Sequence, residues 1–253
     1  MSDHIRASIA DGVLTLIIDR PEKKNALTDG MYGALADAIE AAGTDRAIRV
    51  IVIRGEGQVF TAGNDVMEFA SRPPEGLTNV VRFIRAIAET DKPLIAAVRG
   101  RAVGVGTTML LHCDYVLLAD DAKLSTPFVD LGLVPEAGAS LLLPARIGHL
   151  RAYSMLALSE LVGAEDAVAW GLATAVVPAA DLIASIRTVA SRIAKQPIGA
   201  VMATKRLMRE RSVLLARMEE EARIFTQRLC TPEAREAFQA FAQRRAPDFS
   251  QLA

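Results

Sequence analysis

The chain has 253 residues, 51% of them apolar and 23% charged, with a formal net charge of −1. That length fits one large domain or a domain with a small appendage, and the apolar share is enough for a sizeable core. A near-neutral chain exerts no global field on nucleic acid, and no apolar run approaches the roughly 18 residues that span a bilayer, so neither a nucleic-acid nor a membrane partner is expected.

The first residues, Met1-Ser2-Asp3-His4, lack a basic region followed by an apolar one, and Ser250-Gln251-Leu252-Ala253 is not a peroxisomal address. The two cysteines, Cys113 and Cys230, lie far apart in helical patterns. Reduced thiols in a reducing compartment, the cytoplasm, are the simplest expectation.

In chain order, Ile5 to Ile9 and Val13 to Ile18 read as two strands joined at Asp11-Gly12, a hairpin-type dipeptide. A basic loop, 20–25, follows. The pattern then predicts a helix from an N-cap at Thr28 to Ala42, with Gly43 as its stop. Its apolar positions Met31, Leu35, Ala38, Ile39 and Ala42 share one face. Val50-Ile51-Val52-Ile53 is continuously apolar, as in a strand covered on both faces. A turn over 54–58 and a loop over 60–65 lead to a short helix. The segment 70–78, with Pro73, Pro74 and Gly76, is the candidate mobile loop.

A helix over about 80–89 precedes an apolar strand, Leu94 to Val98, which runs into the glycine turn Gly104-Val105-Gly106. A helix is expected from about Thr107 to Cys113, then a strand at Tyr115 to Leu118 and a turn through Ser125-Thr126-Pro127-Phe128. Glu136 follows Pro135 and is expected to open a further helix. Helices at about 151–158 and 164–170 and a brief strand at 175–177 come next. From Asp181 to Arg245 the pattern is helical, broken at Pro197, near Arg211-Ser212 and at Pro232. Buried strands alternating with helices make this an α/β chain, divided as a core over 1–196 and a helical C-terminal region over 197–253.

Two features carry candidate chemistry. A glycine turn between strand and helix leaves backbone N–H groups free, so the N–H of Val105 is a candidate donor, and Ala62-Gly63 is a second place where backbone approaches a ligand. Two converging donors would form an oxyanion hole. The bland alternative is a tight strand–helix turn. Glu136 is the candidate base, set against Phe128, Val134 and Leu141 in an apolar cavity. Burial would raise its pKa and a helix end would lower it. The bland alternative is a carboxylate complementing a helix dipole.

Asp114 and Asp130 read as turn or cap residues. His112 and Cys113 point about 100° apart on a helix, so no metal site is expected. No serine-hydrolase elbow surrounds Ser125 or Ser140. Arg20, Lys23, Lys24, Arg99 and Arg101 are candidates to meet phosphates.

At Phe60-Thr61-Ala62-Gly63-Asn64-Asp65 and Ala97-Val98-Arg99-Gly100-Arg101-Ala102-Val103-Gly104 the chain resembles the enoyl-CoA hydratase/isomerase (crotonase) family, and the likeness covers nearly the whole chain. The resemblance implies a crotonase-like spiral of ββα units with a helical trimerisation region, assembled as a homotrimer or a dimer of trimers. It implies an acyl-CoA thioester as substrate and no further cofactor. It assigns the oxyanion donors to the N–H groups of Ala62 and Val105. Substrate contacts map to Lys24, Asn25 and Ala26, to Ala62, Gly63, Asn64, Asp65 and Val66, and to Phe128.

Hydratases of the family use two glutamates, at positions held here by Thr108 and Phe128. The stretch from Ser125 to Ser140, with Thr-Pro-Phe and Pro-Glu-x-Gly-x-Ser, looks instead like the delta-3,delta-2-enoyl-CoA isomerase branch, in which a single glutamate, here Glu136, moves the proton. An isomerase of ring-derived CoA thioesters and a hydratase are the alternatives within the family. A non-catalytic CoA- or RNA-binding member is the alternative outside catalysis. The latter binds RNA through a lysine-rich early helix, whereas the helix from Thr28 to Ala42 has neither lysine nor arginine.

Overall fold

The computed structural model describes residues 4–71, 78–250 and 252. Strand β1 (Ile5–Ala10) pairs antiparallel with β2 (Val13–Ile18) across the Asp11-Gly12 turn, where both residues have positive φ. Helix α1 spans Asp29–Thr44, and the Thr28 hydroxyl accepts the Met31 N–H at 3.4 Å as its cap. Gly43 does not stop this helix. It lies inside the last turn on an exposed face, where its lack of a side chain costs about 1 kcal/mol and buried Ala42 and Ile39 hold the turn in place.

Strand β3 (Val50–Gly55) is followed by α2 (Val66–Ser71), α3 (Thr78–Glu89) and β4 (Leu94–Val98). Of the expected mobile loop, residues 72–77 lie outside the described residues, while Ser71 ends α2 and Thr78 starts α3. A short strand β5 (Arg101–Val103) leads into α4 (Val105–Thr108) and a 3-10 turn, Met109–His112. The expected helix therefore starts two residues earlier and tightens before Cys113, because Gly104 at φ 56 and ψ −119 turns the chain directly into it. Strands β6 (Tyr115–Ala119) and β7 (Lys123–Ser125) and a 3-10 turn, Val129–Leu131, precede the Glu136 segment.

Helices α5 (Ala139–Ile147) and α6 (His149–Leu158), strand β8 (Val162–Gly163), α7 (Ala164–Trp170) and β9 (Ala175–Val177) follow. The chain ends in α8 (Leu182–Ala194), α9 (Ile198–Leu207), α10 (Arg211–Leu229) and α11 (Pro232–Gln243).

The larger sheet has the order β1-β2-β3-β4-β6-β9 and is parallel from β2 onward; β5, β7 and β8 form a second sheet. The apolar runs are covered on both faces, as β3 and β4 show residue by residue. Ile51, Ile53, Ala96 and Val98 face the main core under α1 and α3, while Val50, Val52, Ile95 and Ala97 face α8 through Leu182, Ile186 and Ala190. Alternation of side chains across a strand produces this split. An isolated parallel bridge, Thr61↔Ala102, ties the 60–65 loop to β5. It brings the two glycine-containing segments side by side, with Gly106 packed on Thr61 so closely that a Cβ would sit 2.5 Å from the Thr61 methyl.

Candidate active site

Glu136 lies in the extended segment before α5, three residues ahead of the helix. Its Oε1 accepts the Thr108 hydroxyl at 2.5 Å, and its Oε2 is buried with no hydrogen-bond partner. Burial is the main force that lifts its pKa to about 7; the Thr108 hydrogen bond pulls the other way and the charge of Glu221 adds to the lift. The helix end does not lower it. The first amides of α5 are occupied by Glu221, whose Oε2 and Oε1 accept the N–H groups of Gly138 at 2.6 Å and Ser140 at 2.9 Å.

The loop behind Glu136 is held in an uncommon shape. Ala137 at φ 59 and Gly138 at φ 71 are both left-handed. His112, which burial pushes down to about 3 and so keeps neutral, donates Nε2–H to the Ala137 carbonyl at 2.7 Å.

Glu136, Ala137 and Asn64 line a cavity of about 510 Å³. Its apolar walls come from α3, with Val80, Val81 and Ile84, and from α10, with Met218, Ala222 and Phe225. A larger cleft, about 930 Å³, lies beneath α9 and α10. That cleft contains the ion pairs of Asp114 with Lys205 and Arg209, whose cations are engaged in holding α9 to the core. The buried carboxylate with a free oxygen is in the smaller cavity, and the site is placed there.

The candidate oxyanion donors differ from the expectation in one residue. The N–H of Ala62 is used: it donates to the Lys24 carbonyl at 3.0 Å. Gly63 donates to the Thr61 hydroxyl at 3.1 Å, and Asp65 to the Leu27 carbonyl at 2.8 Å. Among the described residues the N–H groups without a protein partner at these two turns are those of Asn64 in the first and of Val105 and Gly106 in the second. Asn64 replaces Ala62 because the parallel bridge Leu27↔Asn64 turns the flanking amides toward the protein and leaves the Asn64 N–H unused. The Asn64 side chain accepts the hydroxyl of Tyr32. Tyr32 is buried, and its pKa is raised by burial, then by the charges of Glu136 and Asp29, so it remains a neutral donor.

The 24–26 loop is largely occupied in shaping itself. Asn25 is fully buried; its amide donates to the carbonyls of Glu56 and Val59 and its oxygen accepts the Arg20 N–H. Arg20 pairs with Asp65 at 2.8 Å and donates to the Ala26 carbonyl, so both side chains are engaged within the protein. Lys23 and Lys24 are exposed beside this loop, and Arg99 is paired with Asp121. Val66 is half-buried at the start of α2.

Phe128 is not a cavity residue. It packs with Leu133 and Ala234 against Phe238 and Leu229, because Gly132 turns the chain back under α11. Val134 and Leu141 do not line the cavity either. Asp130 is exposed in a 3-10 turn, and Asp114 anchors Lys205 and Arg209 rather than merely capping a strand.

Tyr32, Glu221 and the cavity face of α10 were not singled out from sequence. Helical periodicity marks Tyr32 only as a core position, and nothing local signals that Glu221 reaches another helix. Among the described residues no group of three or more His, Cys, Asp and Glu side chains forms a metal cluster, and no helix is long and apolar enough to cross a membrane.

The family model for enoyl-CoA hydratase/isomerase matches residues 8–252. The 2,3-dehydroadipyl-CoA hydratase of Escherichia coli K12 is 34% identical, over 94% of this chain and 94% of that protein. Human enoyl-CoA delta isomerase 2 is 32% identical over 93% of this chain, which spans 62% of that longer protein. A crystal structure of an enoyl-CoA hydratase/isomerase from Pseudoalteromonas atlantica T6c superposes with a TM-score of 0.93 at 39% identity, covering 98% of this chain and 100% of the other.

Proposed function

Since this chain belongs to the enoyl-CoA hydratase/isomerase family, we propose that it is an acyl-CoA isomerase that moves a double bond from the 3 to the 2 position of an enoyl-CoA. Glu136 would take the proton from C2 and return it at C4. The thioester oxygen would carry the negative charge of the enolate, held by the N–H groups of Asn64 and Val105. A base whose pKa sits near 7 is matched to this task, since it can both remove and return a proton without a large penalty. Donors already fixed by the fold stabilise the developing charge without reorganising.

The observation that carries the reading is the free Oε2 of Glu136, buried in a cavity whose other carboxylate among the described residues, Glu219, is exposed to solvent. Removal and return of a proton on one face require one such group. Hydration requires a second group to activate or protonate water, and the two positions where hydratases of the family carry glutamate are Thr108 and Phe128. Thr108 is committed to Glu136, and Phe128 is buried away from the cavity.

The test is turnover of 3-enoyl-CoA to 2-enoyl-CoA by the wild type and by Glu136→Gln, beside crotonyl-CoA hydration and a panel of ring-derived CoA thioesters. The reading expects isomerisation that the Gln variant loses. Hydration as fast as isomerisation, or activity confined to ring epoxides, would replace it with the corresponding family alternative. The same reading puts subunit contacts at the end of α9, where Leu207 and the following Met208 are exposed, and light scattering of the intact protein tests for the mass of a trimer or a dimer of trimers.

A further inference from the structure

Glu136 is followed by a peptide group gripped at both ends. The carbonyl of Ala137 and the N–H of Gly138 belong to one peptide unit. His112 donates to the first at 2.7 Å, and Glu221 accepts the second at 2.6 Å. That plane joins the two left-handed residues and lies one peptide beyond the Glu136 backbone, so holding it restrains the segment that carries the base. Left-handed conformation at a non-glycine residue costs about 1 kcal/mol or more and persists where surrounding contacts over-determine it. Here the contacts come from two distant elements, the 3-10 turn ending at His112 and helix α10.

Glu221 is 5% exposed and sits on the same helix whose Met218, Ala222 and Phe225 line the cavity. Two backbone donors at one carboxylate favour its charged form, and Arg217 on the same helix supports it. Its own pKa is nevertheless raised, chiefly by burial. Of the two buried carboxylates, Glu221 has both oxygens bonded to N–H groups and Glu136 has one oxygen with no donor, so the anion is better stabilised at Glu221 than at Glu136.

We propose that Glu221 is a positioning residue for Glu136, holding the 137–138 peptide from the side opposite His112 and fixing a negative charge behind the base. The charge opposes ionisation of Glu136, in the same direction as burial and against the Thr108 hydroxyl. Among the described residues, the other ionisable groups around the base are neutral His112 and Tyr32 and, along the cavity wall, Arg82, Arg85 and Glu219. Arg82 is held by Asp37 and Glu40, and Arg85 by Glu89.

The inference rests on Glu136 being the base, and its test separates the two claims. Carbon-13 NMR of glutamate carboxyls follows the Glu136 titration in the substrate-free protein, the resonance being assigned by its loss in Glu136→Gln. In Glu221→Gln the Glu136 midpoint should fall by roughly half a unit or more. The kcat for the isomerisation should fall about tenfold at little change in KM, as expected of a misplaced base. An unmoved midpoint in folded Glu221→Gln overturns the inference whatever the substrate proves to be. A lowered midpoint in a protein that does not isomerise 3-enoyl-CoA supports it and removes only the functional reading. Should Glu221→Gln fail to fold, Glu221→Asp keeps the charge and shortens the reach by one methylene. Its midpoint should stay and its kcat fall, and wild-type kcat in that variant overturns the positioning role.

Discussion

Thr108 and Glu136, twenty-eight residues apart, share one hydrogen bond that opposes the effect of burial on the carboxylate. The hydroxyl of Thr108 meets Oε1 at 2.5 Å, while Oε2 meets nothing. Thr108→Val keeps the shape and removes the donor. A hydrogen bond to a charged group contributes roughly 1.5–3 kcal/mol, and its loss disfavours the anion, so the pKa of Glu136 rises by about one unit or more. The acidic limb of kcat/KM should move to higher pH, with about tenfold less activity at pH 6.5 and near-normal activity at pH 9. A limb that stays in place would show that Thr108 does not tune the base.

The pH dependence of stability follows from the same group. The pKa of Glu136 is raised from 4.5 to about 7 by folding. The native state thus binds more protons than the unfolded chain between these values, and stability falls as pH rises through that window. A shift of this size corresponds to about 3 kcal/mol lost above pH 7 and regained below 4.5. Glu136→Gln removes the penalty. It should raise Tm by several degrees at pH 8 and leave it unchanged at pH 4, while abolishing isomerisation. Thermal unfolding of both proteins across that range measures the difference; equal Tm values at pH 8 would mean that the carboxylate is not desolvated.

The proposed oxyanion donors allow a test that spares every side chain of the site. Val105 occupies the first position of α4, where its N–H has no helical partner. Proline is tolerated at that position and has no N–H to offer. Val105→Pro should keep the fold and lower kcat about a hundredfold or more, with KM changed little, which is the magnitude of losing one such donor. Circular dichroism checks the fold and steady-state kinetics the split. Retention of full kcat would remove Val105 from the site.

Much of this architecture was legible because it rests on local rules. The runs at β3, β4 and β6 are apolar without alternation because both faces are covered, and Thr28 caps α1 as its side chain predicts. The two glycine turns lie side by side, yet in the first the unpaired N–H is that of Asn64, while the N–H of Ala62, expected as a donor, is bonded to the Lys24 carbonyl. Which amide of a turn is free depends on the strand that pairs with it, and here the pairing partners, Lys24 and Leu27, come from a separate loop. Phe128 was misplaced for a similar reason: its packing is dictated by α11, about a hundred residues later. Glu221 carried no local signal, since one glutamate in a helix containing Glu219 and Glu220 looks like a solvated face.

The same long-range logic applies to the anchor of α9. Lys205 is 7% exposed and pairs with Asp114 at 2.7 Å, while also donating to the Lys92 carbonyl. Burial lowers the Lys205 pKa and Asp114 opposes that shift. Removing one partner of a buried pair leaves the other uncompensated, which typically costs 3–5 kcal/mol, whereas removing both costs less. Asp114 keeps Arg209 and the Leu94 N–H as partners, so Lys205→Met should lie at the lower end, roughly 3 kcal/mol by urea unfolding. Adding Asp114→Asn should cost less than the sum of the two single changes. Strict additivity would mean that the contact in the fold is not an energetic one, and α9 would then be held by its apolar face alone.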